Sequence, residues 1–401
     1  MSKFGLPKPV WLLGWVSLAT DSATEAIYPL LPFFLTRVLG AGAISLGIVE
    51  GAAEAVNSVL KIISGRVADR SRTKRPLVLF GYSVSSFARP FIAFTTTWTQ
   101  VFAVRVLDRV GKGVRGAPRD AMLATWTTPT TRGKVYGFHR AMDHLGAVVG
   151  PALASAFLFF YPGQYRTLFA LTIIPGAIAV MLILFVPEDK QPQSARSAQS
   201  QETSAVSATS AVALPRGFHR FMFVLALFML GNSTDAFLLL KLTDAASGVQ
   251  FIPLLWSAHH VVKAAVSVVG GSWSDRIGRR SVIAIGWTVY AAVYAGFALT
   301  ETLPALIAWF LVYGFYFGFA EGTEKALVAD LAPASRRGFA FGVYTAVQGM
   351  GALAASVLFG LVWNAYGAAA AFGVGAALAL LATVLLFAII DPLHAADSGH
   401  Q

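Results

Sequence analysis

The sequence predicts an all-α membrane protein with twelve transmembrane helices, arranged as two pseudo-symmetric six-helix bundles. Three observations support this prediction: the composition, the length of the apolar runs and the positions of the basic residues. Of the 401 residues, 56% are hydrophobic and only 13% are charged, which is about half the charged share of a soluble domain. Lipid rather than water must therefore surround most of the chain.

Twelve apolar runs are long enough to cross a bilayer. A spanning helix needs roughly 20 mostly apolar residues, because about 30 Å of hydrocarbon is crossed at about 1.5 Å per residue. The runs lie near residues 10–36, 43–64, 76–95, 98–119, 135–160, 166–187, 217–241, 249–271, 280–300, 303–328, 339–362 and 366–390. They lack the alternation of a lipid-facing β-strand, so their backbone groups must be hydrogen-bonded within helices.

The basic residues predict the orientation of the chain. If the N-terminus is cytoplasmic, the loops on that side hold nearly all the loop Lys and Arg, and the opposite loops hold little beyond Arg37, Arg166 and Lys241. This distribution follows the positive-inside rule and explains the net charge of +11 without a nucleic-acid partner. We expect a multi-pass protein of the cell inner membrane with both termini cytoplasmic. Cysteine is absent, which excludes disulfides and thiolate metal sites, and we expect no metal and no cofactor.

A polar segment divides the chain into two related halves. Residues 188–215 contain no aromatic residue and have the composition of a flexible cytoplasmic linker. They separate predicted bundles at 1–187 and 216–401. Similar segments recur in both halves: 65–72 with 271–280, 132–146 with 337–351, and 19–21 with 233–235, at offsets of 206, 205 and 214. Matches at nearly constant offsets indicate a duplicated unit.

A charged loop motif follows the second and eighth spans. The second copy has Gly271, Asp275, Arg276, Arg279 and Arg280, and here the chain resembles the major facilitator superfamily, whose loop motif is G-x-x-x-D-R-x-G-R-[RK]. This resemblance covers the whole chain. It implies a conformational latch, because an Asp at a helix end can pair with Arg in one state and release it in another. The first copy is looser and keeps Gly65, Asp69 and Arg70.

The fifth span carries a second, narrower resemblance. Gly137, Gly146, Gly150 and Pro151 stand at the spacing G-x8-G-x3-G-P, which resembles the fifth-helix pattern of the antiporter subgroups of this superfamily. Ala154 and Ser155 replace the Gly pair that ends the pattern. The resemblance implies export by antiport, and the alternative is ordinary packing of small residues between helices.

Ionisable residues inside the predicted spans are the candidates for proton coupling. A charge near the bilayer centre costs at least about 2.5 to 3.5 kcal/mol, so such residues are candidate functional sites. The candidates lie on the first, second and fourth spans: Asp21, Glu25, Glu50, Glu54, Arg105, Asp108 and Arg109. Asp21 and Glu25 with Glu50 or Glu54 are expected to bind the proton, because desolvation and mutual repulsion disfavour a second ionised carboxylate. Arg105 matches the antiporters' R-x-x-Q-G-x-G segment, and the resemblance implies that it acts on the proton site. The alternative is a permanent ion-pair network between helices.

Further polar residues are candidates to line a substrate cavity. They are Asn57, Lys61, Asp143, His144, Asp235, His259, His260, Lys263, Glu321, Glu324 and Lys325. Because they include both charge signs, they assign neither a cationic nor an anionic substrate. Pairing at i, i+3 and i+4 is expected to neutralise the charges of the tenth span.

These features predict a secondary transporter of a small solute that works by alternating access and is driven by a proton gradient, with export favoured. An importer or facilitator of an organic anion, sugar derivative or metal chelate, and a membrane sensor, are the alternatives. No H-E-x-x-H, no G-x-S-x-G and no cysteine nucleophile is present, so an enzyme is not expected. The expected partners are the solute, protons and lipid, and the protein is expected to be a monomer.

Overall fold

In the computed structural model, every regular element of the described residues is helical. The described residues are 6–71, 73–126, 132–187, 214–246, 248–333 and 337–389. The helices of the first half are α1 (Lys8–Ile27), α2 (Ala43–Arg70), α3 (Arg75–Ala88), α4 (Trp98–Thr125), α5 (Arg132–Phe160), α6 (Tyr165–Leu171) and α7 (Ile173–Leu184). Those of the second half are α8 (Arg216–Gly231), α9 (Ala236–Ala245), α10 (Ile252–Ile277), α11 (Arg279–Leu299), α12 (Leu303–Leu331) and α13 (Arg337–Ile389).

These helices confirm the predicted all-α membrane fold. Each of the twelve predicted spans coincides with helix, and the last two lie in α13, which is broken at Gly367. The break has a φ of 85°, a conformation open to glycine but strained for other residues. Eight helical stretches of the described residues are long and apolar enough to cross a membrane by length and composition alone. The count of twelve therefore stays a prediction.

Two predicted spans are not single α-helices. After α1, the chain continues through short helical turns at Tyr28–Leu30, Leu31–Phe33 and Phe34–Val38, because Pro29 and Pro32 supply no backbone N–H to the helical ladder. The span predicted at 217–241 is interrupted between α8 and α9 at residues 232–235. The four consecutive polar residues at 232–235 are the local signal of this break.

The described helices pack as two units. The described parts of Met1–Lys190 and Asp235–Val261 form the first unit, and those of Gln191–Thr234 and Val262–Gln401 form the second. In the first unit α1 packs on α5 and α7, α4 packs on α2 and α3, and α3 packs on α7. In the second unit α8 packs on α13, and α11 packs on α12 and α13. The predicted linker lies outside the described residues except at its C-terminal end, so the domain boundaries stay a prediction.

Glycines of the fifth-span pattern allow α5 to approach α1 closely. A Cβ at Gly146 would lie 2.6 Å from the carbonyl oxygen of Leu18, and one at Gly150 would lie 2.7 Å from the Cα of Ser22. Both distances are far below van der Waals contact, so only glycine fits. The pattern thus has a packing role, which is the alternative that its spacing left open.

We expect Gly150→Ala to destabilise the protein by about 1 to 3 kcal/mol, because overpacking must move α1 away from α5. The midpoint of thermal unfolding in detergent measures the effect. Gly373→Ala is the matched control, since a Cβ at Gly373 meets no atom within 4 Å, and there alanine should stabilise the helix slightly. Equal midpoints for the two variants would contradict the packing role.

Candidate functional site

A buried ion pair joins α2 to α4 in the first unit. Arg105 donates from Nε to Oε1 of Glu50 at 3.0 Å and from Nη2 to Oε2 at 2.7 Å. Both side chains are buried, so this bidentate ion pair holds two charges away from water. Glu50 therefore has a fixed cationic partner.

A second ion pair centres on Asp108 of α4. Arg89 donates from Nε to Oδ1 of Asp108 at 2.9 Å and from Nη1 to the carbonyl oxygen of Thr20 at 3.3 Å. Arg105 and Arg109 lie 3.8 and 3.9 Å from Oδ2 of the same carboxylate. The structure thus brings together four residues predicted from the sequence, Glu50, Arg105, Asp108 and Arg109.

Two buried arginines of this cluster were not among the sequence candidates. Arg89 lies in the turn that follows α3, and Arg115 lies on α4, where it donates to Oγ of Ser85 at 2.7 Å and stands 4.3 Å over the ring of Tyr82. Each lies inside a predicted span. That position alone was the signal that could have identified them.

Arg109 has unused hydrogen-bonding capacity. The residue is buried, and its Nε and Nη1 have no hydrogen-bond partner among the described residues. Its nearest carboxylate oxygen, on Asp108, is 3.9 Å away. A buried guanidinium with free N–H groups is suited to bind a carboxylate or phosphate.

Three predicted carboxylates lie outside the ion pairs. Within the described part of the chain, Asp21 forms no hydrogen bond and no ion pair, although Lys112 and Asp143 act on it electrostatically. Glu25 accepts a hydrogen bond from Nε1 of Trp256 at 2.9 Å, and Glu54 accepts one from Nδ2 of Asn57 at 3.1 Å. All three side chains are half-buried. These three carboxylates form no ion pair among the described residues.

The predicted cavity residues of α5 form a separate polar group. Asp143 accepts a hydrogen bond from Oγ of Ser17 and lies 3.5 Å from Nδ1 of His139 and 3.8 Å from Nη1 of Arg140. His139, which the sequence prediction missed, is buried, whereas the predicted His144 is half-buried. Asp143 is therefore tied to its own helix and to α1.

The adjacent histidines of α10 pack around Trp256 in the first unit. The ring of His259 stacks at 5.5 Å from that of Trp256, and Nδ1 of His260 lies 3.1 Å from the carbonyl oxygen of Trp256. Asn57 is buried on α2, and Lys61 is exposed one turn further along. Asp235 stands at the start of α9.

The remaining cavity candidates lie in the second unit, where two glutamates of α12 have different surroundings. Glu321 lies 3.5 Å from Nζ of Lys263 and 3.2 Å from Nζ of Lys325. Glu324 instead accepts hydrogen bonds from Nε1 of Trp287 at 2.9 Å and from the hydroxyl of Tyr344 at 3.1 Å. The predicted neutralisation therefore holds for Glu321 but not for Glu324.

Tyrosine side chains form hydrogen bonds with the polar groups at the break between α8 and α9. The hydroxyl of Tyr290 donates to the carbonyl oxygen of Gly231 at 2.8 Å, and Nδ2 of Asn232 donates to the hydroxyl of Tyr316 at 2.9 Å. Ser233 pairs with the hydroxyl of Tyr294 at 3.0 Å. Interrupted helices of this kind often border substrate sites in transporters, because the unwound backbone exposes polar groups near mid-membrane.

Part of the predicted latch is described. Arg279 donates to Oδ2 of Asp330 at 3.3 Å and to Oγ of Ser274 at 2.5 Å, and Arg280 stands 4.5 Å over the ring of Phe387. The sequence prediction missed Asp330. Gly65 lies on α2 and Arg276 is exposed. The structure does not describe the side chains of Asp69, Arg70 and Asp275 or the surroundings of Gly271. The latch stays a prediction.

Within the described residues, no group of three or more His, Asp or Glu side chains is placed to hold a metal ion.

Comparisons with known proteins agree on one family. The family model described as Major Facilitator Superfamily matches residues 10–255 and 242–401. An uncharacterized MFS-type transporter of Methanocaldococcus jannaschii is 31% identical over 390 residues, which cover 96% of this chain and 95% of that protein. The multidrug resistance protein MdtH of Edwardsiella ictaluri is 24% identical over 316 residues, 78% of this chain and 76% of that protein.

Solved structures show the same fold. A POT family transporter superposes with a TM-score of 0.78 at 12% identity, over 96% of each chain. The nucleoside transporter NupG superposes with a TM-score of 0.77 at 14% identity, over 96% of this chain and 100% of that one. At such low identity these likenesses concern the fold alone.

Proposed function

The chain belongs to the major facilitator superfamily of membrane transporters, and on this basis we propose that it exports a small solute in exchange for protons. The binding site would open alternately to the two faces of the cell inner membrane. The proton gradient would supply the energy, and no cofactor is required. In this proposal the protein works as a monomer with both termini in the cytoplasm.

One observation above all supports proton coupling: Asp21 is a half-buried carboxylate in α1 that has no hydrogen bond and no ion pair among the described residues. An ionised carboxylate in such a place is costly, so it gains from binding a proton. Glu50 and Asp108, by contrast, have arginine partners. We therefore assign the coupling proton to Asp21, with Glu25 and Glu54 as further candidate acceptors.

Two facts support export. The relative MdtH is named a multidrug resistance protein, and the fifth-span pattern with Gly146 and Gly150 resembles that of antiporters. Coupling follows if protonation of Asp21 changes the relative stability of the inward-open and outward-open states, because only differential binding shifts such an equilibrium.

A second substrate class is supported by Arg109. Its free Nε and Nη1 groups favour an organic anion over a cation. In that case the same scaffold would carry the anion, either outward against protons or inward with them. The direction of proton movement distinguishes these two modes.

The test uses everted membrane vesicles with an acidified lumen and a pH-sensitive dye. Drug-like cations, organic anions, sugar derivatives and metal chelates are added in turn. For an exporter coupled to protons, the transported compound should release protons from the lumen. Compound flux without proton movement would indicate a facilitator, and binding without flux would indicate a sensor; either result would overturn the proposal.

A further inference from the structure

Glu324 is a buried carboxylate whose hydrogen-bond partners are neutral. It is 3% exposed and accepts one hydrogen bond from the indole of Trp287 on α11 and one from the hydroxyl of Tyr344 on α13. Nε2 of Gln348 donates to the same hydroxyl at 2.7 Å, so Tyr344 is oriented to donate to Glu324. Each oxygen of the carboxylate thus has its own donor.

The indole that donates to Glu324 is both buried and packed against another ring. Phe228 of α8 stacks on Trp287 with ring centroids 4.3 Å apart and an interplanar angle of 7°. Trp287 is fully buried. Packing therefore orients the indole N–H toward the carboxylate in addition to the hydrogen bond itself.

The charged side chains nearby leave Glu324 without an ion pair in the described part of the chain. On its own helix these are Glu321 and Lys325, which pair with each other at 3.2 Å, and α10 contributes Lys263, which also pairs with Glu321. The groups facing Glu324 from α11 and α13 are the neutral Trp287 and Tyr344. Both lysines are therefore engaged by Glu321.

A buried carboxylate with no cationic partner can exist in two protonation states. Ionised, it relies on two neutral hydrogen bonds against a large desolvation cost; protonated, it carries no charge and can donate a hydrogen bond of its own. Because both donors are neutral, they leave both forms of Glu324 accessible.

We propose that Glu324 is a second proton-binding carboxylate of the transport cycle, placed in the second unit, in addition to Asp21 in the first. Each unit would then carry one proton per cycle. On one side a carboxylate oxygen forms an O–H bond with a proton given up by hydronium, and on the other side this bond breaks as the proton passes to water; no oxidation or reduction is involved. This inference rests on the proposed proton coupling only for its role in transport; the change of protonation itself can be measured without any solute.

The first experiment is infrared difference spectroscopy of the purified full-length protein in nanodiscs, between acidic and alkaline pH. The carboxylic-acid C=O band should appear in the wild type, and the component that belongs to Glu324 should be missing from it in Glu324→Gln. Glu301→Gln is the matched control, an exposed glutamate in the same unit, and it should keep this component. If Glu324→Gln keeps the whole band, Glu324 does not change protonation and the inference is wrong.

Should Glu324→Gln fail to fold, Tyr344→Phe replaces it. This variant removes one of the two donors but leaves the carboxylate, so the pH midpoint of the band should shift relative to the wild type. An unchanged midpoint would assign the band to another group and overturn the inference.

The second experiment measures the number of protons exchanged per solute, from the pH gradient at which net flux reverses in proteoliposomes. We expect Glu324→Gln to lower this ratio by one proton and Glu301→Gln to leave it unchanged. An unchanged ratio in Glu324→Gln overturns the transport role of Glu324 while proton-coupled export stands. If the wild type moves no protons but its infrared band depends on Glu324, the proposed function fails and the proton site remains.

Discussion

Glu50→Gln is expected to lower the free energy of unfolding by about 3 to 5 kcal/mol, since it leaves the guanidinium of Arg105 buried without its two-pronged partner. Asp108, 3.8 Å from Arg105, also interacts with Arg89 and Arg109 and cannot replace the lost hydrogen bonds. The thermal midpoint and the monodisperse yield in detergent measure the loss.

Two further variants separate the charge effect from general disturbance. Glu25→Gln is the isosteric control, because its partner is the neutral Trp256 and an amide oxygen can still accept that hydrogen bond. The double variant Glu50→Gln with Arg105→Gln should recover much of the stability, because no uncompensated charge remains. If the double variant is as unstable as the single one, the ion pair is not the cause.

Asp21→Asn is expected to abolish proton-driven accumulation of the solute, reducing it to the level of passive leak, while the protein keeps its fold. An amide cannot take up a proton at this position, so the step that links solute movement to the gradient is lost. Exchange of labelled for unlabelled solute across the membrane should continue, because exchange does not require net proton transfer.

The matched control is Asp120→Asn, an exposed carboxylate on α4 that pairs with Arg119 at 3.0 Å. It should retain proton release on addition of the solute. Normal coupling in Asp21→Asn would remove Asp21 from the mechanism and leave Glu25, Glu54 and Glu324 as the candidates to test. Loss of both exchange and coupling would indicate a role in solute binding instead.

The sequence was sufficient to predict the helices because each span must be long and apolar on its own. It could not predict which side chains pair with an interrupted span. Residues 232–235 are four consecutive polar residues, which is a local signal of the break, but their partners Tyr290, Tyr294 and Tyr316 come from distant parts of the chain. The turns after α1 likewise have a local signal, in Pro29 and Pro32.

For the polar residues, the sequence could predict burial but not partners. Glu50 and Arg105 are separated by 55 positions, so spacing along one helix says nothing about their pairing. Glu321 and Glu324 look equivalent in the sequence, because both are close to Lys325. Lys325 is four residues after Glu321 and directly follows Glu324. Only the rotation of α12 against α11 and α13 places one glutamate among lysines and the other between an indole and a phenol.

The interruption between α8 and α9 has a consequence for selectivity. Gly231, Asn232 and Ser233 already form hydrogen bonds with the side chains of Tyr290, Tyr316 and Tyr294. These groups can therefore bind another molecule only if the existing hydrogen bonds break. A solute that reaches the break must offer hydrogen bonds of comparable strength before it can displace a phenol. If the proposed transport brings a solute to this break, a solute with hydrogen-bonding groups is expected to bind there better than an apolar one.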